Sequence, residues 1–187
     1  MIEYVPRERF TPSPLLDVPT AWKEVAPVIK DILDRFEVGR GIALEFGVDY
    51  GYSTSVLSHF FDEVGGVDTF KGDVHAGDRG EGIYQQVVES MKAYPNVTLA
   101  PADYRNFIKG VRGSYDLIHI DIVHTYAETY ECGEWAIQHA PVVIFHDTLS
   151  FPDVMKAVTD LAESHGLNFY NVNEQHGLGI LTKRTPR

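Results

Sequence analysis

The sequence predicts an α/β fold: a mostly parallel sheet with helices on both faces, closed by a C-terminal antiparallel hairpin. Three observations predict it. Short apolar runs of strand length alternate with longer segments of helical period from Ile42 onward. Glycine, aspartate or histidine stands where most of those runs stop. The last two runs are joined only by the turn-forming segment Asn173–Gly177. The chain has 187 residues, the size of one domain, and divides into an arm over 1–19 and a single domain over 20–187.

The arm carries Pro6, Pro12, Pro14 and Pro19 and reads as extended. Thr20 caps a helix whose apolar face is Trp22, Val25, Ile29, Ile32, Leu33 and Phe36, with Pro27 as a kink. Gly39 and Gly41 end that segment. Seven strands follow, at Ile42–Phe46, Glu63–Asp68, Asn96–Ala100, Tyr115–Asp121, Pro141–His146, Leu167–Val172 and Leu178–Thr182. Helices are expected between them at Ser53–Phe61, Glu81–Tyr94, Tyr104–Gly110, Tyr126–Ala140 and Pro152–His165. The glycine-rich stretch Lys71–Gly82 reads either as a lid or as a surface loop.

Composition narrows the function classes. Hydrophobic residues make up 44% and charged residues 23%, ordinary for a globular domain. A net charge of −11 argues against general binding to a nucleic-acid backbone, which needs a basic face. Cys132 is the only cysteine, so no internal disulfide can form, which fits a reducing, cytoplasmic compartment. No run approaches the ~18 apolar residues of a membrane span. Met1–Pro14 holds Glu3, Arg7, Glu8 and Arg9 and lacks the apolar segment of a secretory signal. A soluble domain acting on a small molecule is the expectation, with the arm and the hairpin as candidate surfaces for a homo-oligomer.

In a doubly wound sheet the ligand lies beyond the carboxyl ends of the strands. The residues there are Glu45–Gly51, Asp68–Gly72, Ala100–Asp103, Asp121–Tyr126 and His146–Thr148. Gly47 and Gly51 allow a tight turn and close backbone approach to a ligand, with the amides beyond Ser53 facing it. Asp49 stands where a dinucleotide fingerprint has its second glycine, and it would repel a pyrophosphate. A ligand with a positive charge suits this loop better. Asp68, about 20 residues on, is placed to accept ribose hydroxyls or to cap the next loop. Asp103 either accepts from an adenine amino group or caps the helix from Tyr104. Asp121, His124, His146 and Asp147 converge from neighbouring strands. Two carboxylates plus an imidazole can hold a hard divalent metal such as Mg²⁺. An unligated histidine can take a proton from a hydroxyl. His119 lies inside a strand and reads as a core histidine.

The segments EFGVDYGYS, VDTFKGDVHAG, LIHIDIVHTY and FHDT, in this order, resemble those of class I S-adenosylmethionine-dependent methyltransferases. The nearest subgroup is small O-methyltransferases acting on sugars, macrolide sugars and catechols. The resemblance spans about 20–182 and implies a Rossmann-like sheet with S-adenosylmethionine as cofactor. It implies cofactor contacts at Glu45, Gly47, Asp49, Gly51, Ser53, Asp68, Asp103 and Asp121. It also implies a catalytic pair, Asp121 with His124 as general base, and metal ligands at Asp121, His146 and Asp147. Family members usually carry glycine where Ile122 stands, and often a carboxylate where His146 stands, so Mg²⁺ dependence is left open. The expected reaction is methyl transfer to a hydroxyl of a sugar or a catechol-like phenol. The alternatives are a metal-dependent hydrolase using Asp121, His124, His146 and Asp147, and a non-catalytic domain that keeps the cofactor site.

Overall fold

The computed structural model describes residues 1–187. The strands are β1 (Ile2–Glu3), β2 (Ile42–Phe46), β3 (Glu63–Asp68), β4 (Gly72–Asp73), β5 (Gly77–Asp78), β6 (Val97–Pro101), β7 (Leu117–Ile120), β8 (Val142–His146), β9 (Asn168–Val172) and β10 (Leu178–Thr182). The helices are α1 (Ile29–Arg35), α2 (Tyr52–Ser58), α3 (Ile83–Met91), α4 (Tyr104–Gly110), α5 (Tyr126–His139) and α6 (Pro152–His165). The main sheet runs in the order β1-β9-β10-β8-β7-β2-β3-β6. β10 is antiparallel to both its neighbours, and all other pairs are parallel.

All seven expected strands are present, and the arm adds an eighth at the sheet edge, where Ile2 and Glu3 pair with Tyr170 and Asn171. The expected kinked helix before Gly39 is instead two 3₁₀ turns, at Trp22–Glu24 and Ala26–Val28, followed by α1. Proline supplies the reason. Pro27 has no N–H to donate, and its ring disfavours helical torsions at Ala26, so the continuous helix starts only beyond it. The glycine-rich stretch between β3 and α3 holds a small antiparallel hairpin, β4 on β5.

Alternation along the strands sends side chains into two layers. Ala43, Leu117, Val142 and Ile144 join the arm, α1 and α2 in one core. Leu44, Phe46, Ile118, Ile120, Val143 and Phe145 join α4, α5 and α6 in the other. Both faces are covered, so the site can form only at the strand ends.

The arm is tied down by a buried polar contact. Tyr4 is buried and donates its hydroxyl to Asp31 on α1 at 2.6 Å. Its ring stacks on Phe36 at 5.6 Å, and the Arg35 guanidinium lies 4.8 Å above it. Burial and the Asp31 carboxylate push the Tyr4 hydroxyl well above the usual phenol range, so it stays protonated and donating. Tyr4→Phe removes one bond to a buried carboxylate. The expected loss is about 1–3 kcal/mol, read from urea unfolding midpoints. An unchanged midpoint would show that the contact does not hold the arm.

Candidate active site

The chain leaves β2 for β3 and β6 on one side, then returns to β7 and β8 on the other. The gap beyond β2 and β7 is therefore the topological switch point. Gly47 makes that gap usable. It has φ +90°, and a Cβ placed on it would lie 1.8 Å from the Asp121 carbonyl oxygen. The Gly47 amide donates to Val67 at 2.9 Å, and the Asp121 amide donates to Phe46 at 2.8 Å. The glycine loop and the Asp121 turn thus lie against each other, backbone on backbone.

A cavity of about 230 Å³ opens beside this contact. Gly47, Asp49, Asp68, Asp103 and Asp121 all line it, with Phe70 and Tyr104 as its aromatic walls. Asp68 does two things there. Its Oδ2 accepts the amides of Val48 and Asp49 at 2.8 and 2.9 Å, and its Oδ1 accepts that of Phe70 at 2.7 Å. A carboxylate has about four lone-pair sites, so one remains for a ligand hydroxyl. Asp103 caps α4 through the Arg105 amide at 2.8 Å and also faces the cavity. Asp49 pairs with Arg79 of the hairpin segment, at 2.6 and 3.0 Å.

Three expected contacts fall elsewhere. Glu45 is fully buried, accepting from Thr54 and lying 2.8 Å from His119 Nδ1. The residues are partners in register on β2 and β7, so each occupies the other's polar group beneath the sheet. Gly51 turns into α2 against the Met91 side chain, where a Cβ would meet Met91 Cε at 2.2 Å. Ser53 is buried within α2. None of the three lines the cavity. His119 is a core histidine, as its position inside a strand suggests.

A second cleft, of about 660 Å³, adjoins the first. Asp121, Asp49 and Arg79 line both. His124, His146 and Asp147 line the second alone, beneath Trp22 and Phe151. His124 Nε2 lies 2.8 Å from Asp147 Oδ2 and 3.5 Å from Asp121 Oδ1. His146 Nδ1 lies 3.2 Å from Asp147 Oδ2 and 3.3 Å from Asp121 Oδ2. The ring of His124 stacks on Phe151 at 4.1 Å and is nearly parallel to it. Asp147 holds a left-handed φ of 63°, a conformation that aspartate tolerates better than most residues.

Charge governs this group. Burial lowers the pKa of His124, but the neighbouring Asp121 and Asp147 carboxylates outweigh it and carry the value up to about 9. Burial opposes the charged form of His146 too, and the same carboxylates carry it up to about 10. Burial raises Asp147, yet the two imidazoles bring it down to about 2. Asp121 is held far below the usual carboxylate range against its own desolvation, chiefly by His146.

Single ligand atoms of Asp121, His124 and Asp147 all lie within 4.8 Å of one another, a spacing a metal ion could bridge. The donor chemistry does not fit Mg²⁺. That ion takes oxygen ligands and retained waters in a near-ideal octahedron. Here two imidazoles face the two carboxylates.

Several residues around the cleft were missed by sequence reasoning. The helical period reads Trp22 only as a core residue, though its ring lies 4.7 Å from His119 and 5.9 Å from His146. Arg79 carried no local signal. His176 did: β10 pairs beside β8 with Leu178 opposite His146, so the hairpin turn must lie at the carboxyl end of β8.

Residues 44–148, more than half of the chain, match the methyltransferase-domain family. The chain belongs to this family. It is 31% identical over 150 residues to the uncharacterized protein y4gI of Sinorhizobium fredii, covering 74% of this chain. The chain spans 16% of the length of that relative. Its fold is similar to that of a proposed caffeoyl-CoA O-methyltransferase from Staphylococcus aureus (TM-score 0.66, 18% identity, 89% of this chain and 85% of that one). It is also similar to a proposed O-methyltransferase from Klebsiella pneumoniae (TM-score 0.65, 16% identity, 91% and 84%). A third likeness is to the Podospora anserina methyltransferase PaMTH1, solved with S-adenosylhomocysteine bound (TM-score 0.60, 13% identity, 77% and 72%). The Rossmann-like methyltransferase fold that the motifs implied is the fold observed. No helix is long and apolar enough to cross a membrane.

In this methyltransferase domain, Gly47→Ala should cost more stability than Gly82→Ala. Both glycines have positive φ, but a Cβ at Gly82 meets nothing within 4 Å. Gly82→Ala should lose about 1 kcal/mol from backbone strain alone, and Gly47→Ala at least about 2 kcal/mol more. Equal losses in thermal or urea unfolding would contradict the close approach of the two loops.

Proposed function

We propose that this domain transfers a methyl group from S-adenosylmethionine to a hydroxyl of a small molecule, a sugar or a catechol-like phenol. One observation carries the reading: Asp121 lines both the glycine-loop cavity and the histidine-lined cleft. A cofactor in the first and an acceptor in the second would meet at that residue.

The chemistry of the two spaces is suited to this. The cofactor is a sulfonium cation, and Asp49, Asp68, Asp103 and Asp121 give its cavity an acidic lining. Asp68 has a lone pair left for a ribose hydroxyl, and Asp103 faces the same space. Methyl transfer is an in-line displacement, and holding the two reactants in contact supplies much of the rate. Aromatic Trp22, Tyr50 and Phe151 in the second cleft suit the face of a sugar or phenol ring.

His124 is the general base in this reading, with its side chain only 14% exposed at the cleft. An imidazole accepts a proton only when neutral. A value of about 9 places the neutral form about 3 kcal/mol uphill at pH 7. The carboxylates that orient His124 therefore also oppose its use. A positive charge between them, from the sulfonium or a bound ion, would relieve that cost. Ile122 lines both spaces where the family usually has glycine, and in this reading it narrows the passage between them.

The test separates binding from transfer. His124→Ala should lower transfer to an accepted hydroxyl by about 10²–10⁴-fold and leave S-adenosylhomocysteine affinity unchanged. Asp68→Ala should weaken that affinity about tenfold or more. Full transfer by His124→Ala would remove the base assignment. Unchanged affinity in Asp68→Ala would remove the ribose assignment.

A further inference from the structure

We propose that His75, carried on the hairpin of β4 and β5, is a positioning residue for His124, so that the transfer site is complete only with that hairpin docked across it. The inference rests on the reading of His124 as general base for its use, while its geometry stands apart from that reading.

The hairpin is held at its base and at its tip. The tip is a built turn, in which Asp73 Oδ1 accepts the amides of His75 and Ala76, both at 2.7 Å. Just past the turn, Arg79 holds Asp49 of the glycine loop through two bonds, and its guanidinium lies 4.8 Å over the Tyr50 ring. A guanidinium fork on a carboxylate fixes direction as well as distance. From that anchor the tip reaches the other loop of the switch point. His75 Nδ1 accepts the His124 amide at 3.4 Å, and the His75 ring lies 5.1 Å from the His124 ring and 5.0 Å from that of Phe151. One hairpin therefore touches the glycine loop at Asp49 and the base at His124, the two sides that methyl transfer must bring together.

The angles give the arrangement of the rings. His124 and Phe151 are parallel within 6°, and His75 stands at 62° to one and 64° to the other. Nearly equidistant from both, it closes the shared edge of the stacked pair. Phe151 covers one face of His124, and Asp147 and Asp121 lie against its Nε2. Without His75 the ring keeps one covered face and one fixed nitrogen, and it is free to tilt about the line between them. Ring packing carries the effect more than the amide contact does. A nitrogen–nitrogen contact of 3.4 Å is long and weak, whereas edge-to-face rings near 5 Å lie within their preferred separation. Proton removal in the transition state is sensitive to such a tilt, since a misplacement of about 1 Å can cost about 10²-fold in rate.

The experiment uses the full chain with isotope-labelled histidine, read by NMR. Stacking on Phe151 shifts the carbon-bound ring protons of His124 upfield, and their signals are assigned by their loss in His124→Ala. His75→Ala should move them toward the ordinary histidine range or broaden them. His75→Phe, which keeps an edge-on ring, should hold them in place, and Val74→Ala, at the exposed neighbour, should change nothing. Each variant's fold is checked by its thermal unfolding midpoint. Rates are measured with catechol and methyl glucoside as probe acceptors. His75→Ala should lower kcat about tenfold or more, with the KM for S-adenosylmethionine within about twofold, and His75→Phe should recover most of the loss. Added to His124→Ala, His75→Ala should cost nothing further, because it acts through that ring. Unmoved His124 signals in His75→Ala, or no restoration in His75→Phe, would overturn the proposal. So would a raised acceptor KM at unchanged kcat, or an additive loss in the double variant. Full transfer by His124→Ala alone would instead remove the base assignment, and the NMR result would still decide whether His75 holds the ring.

Discussion

The contact between residue 47 and the Asp121 carbonyl decides what the rest of the site can be. At a switch point two loops leave adjacent strands in opposite directions, and their side chains would normally hold them apart. Gly47 removes that spacer, and a positive φ turns the chain away immediately. Asp121 is thereby placed at the edge of both the glycine-loop cavity and the cleft behind it. Any side chain at 47 would have to displace the backbone of the turn that carries Asp121 and, three residues on, His124. The glycine loop and the turn that carries Asp121 and His124 are therefore positioned by one backbone contact.

A polar stripe beneath the sheet supports that arrangement. Thr54, Glu45 and His119 are linked by buried hydrogen bonds, and Trp22 fills the space between His119 and His146. Buried polar groups are costly unless paired, so such a chain fixes the register of β2 against β7. Above it, Asp121 and Asp147 face His124 and His146, and each side stabilises the charged form of the other. The cluster is balanced in charge while its neighbouring cavity is acidic.

The fold was legible because its signals are local. Strand-length apolar runs, helical period and turn residues lie within a few positions of each other, and they placed all seven strands expected. The eighth was not legible, since Ile2–Glu3 is too short to show a period and is defined only by its neighbour β9. The site was legible where chemistry sits at a strand end: Asp68, Asp103, Asp121, His124 and Asp147 lie at or beside the cavities their positions suggested. Glu45 was misplaced because strand alternation sends it beneath the sheet, toward His119. Motif position alone does not register that direction. Arg79 and Trp22 reach the site from distant segments, and pairings of that kind have no spacing to read.

Titration of the wild-type chain with S-adenosylhomocysteine tests the central claim most directly, because both assigned spaces depend on the cofactor occupying the first. One site per chain with an affinity in the micromolar range is the predicted result, with the cofactor competing for it. No binding, under conditions where the chain is folded, would contradict the account. The same four residues around Asp121 would then be read as a metal-dependent hydrolytic site.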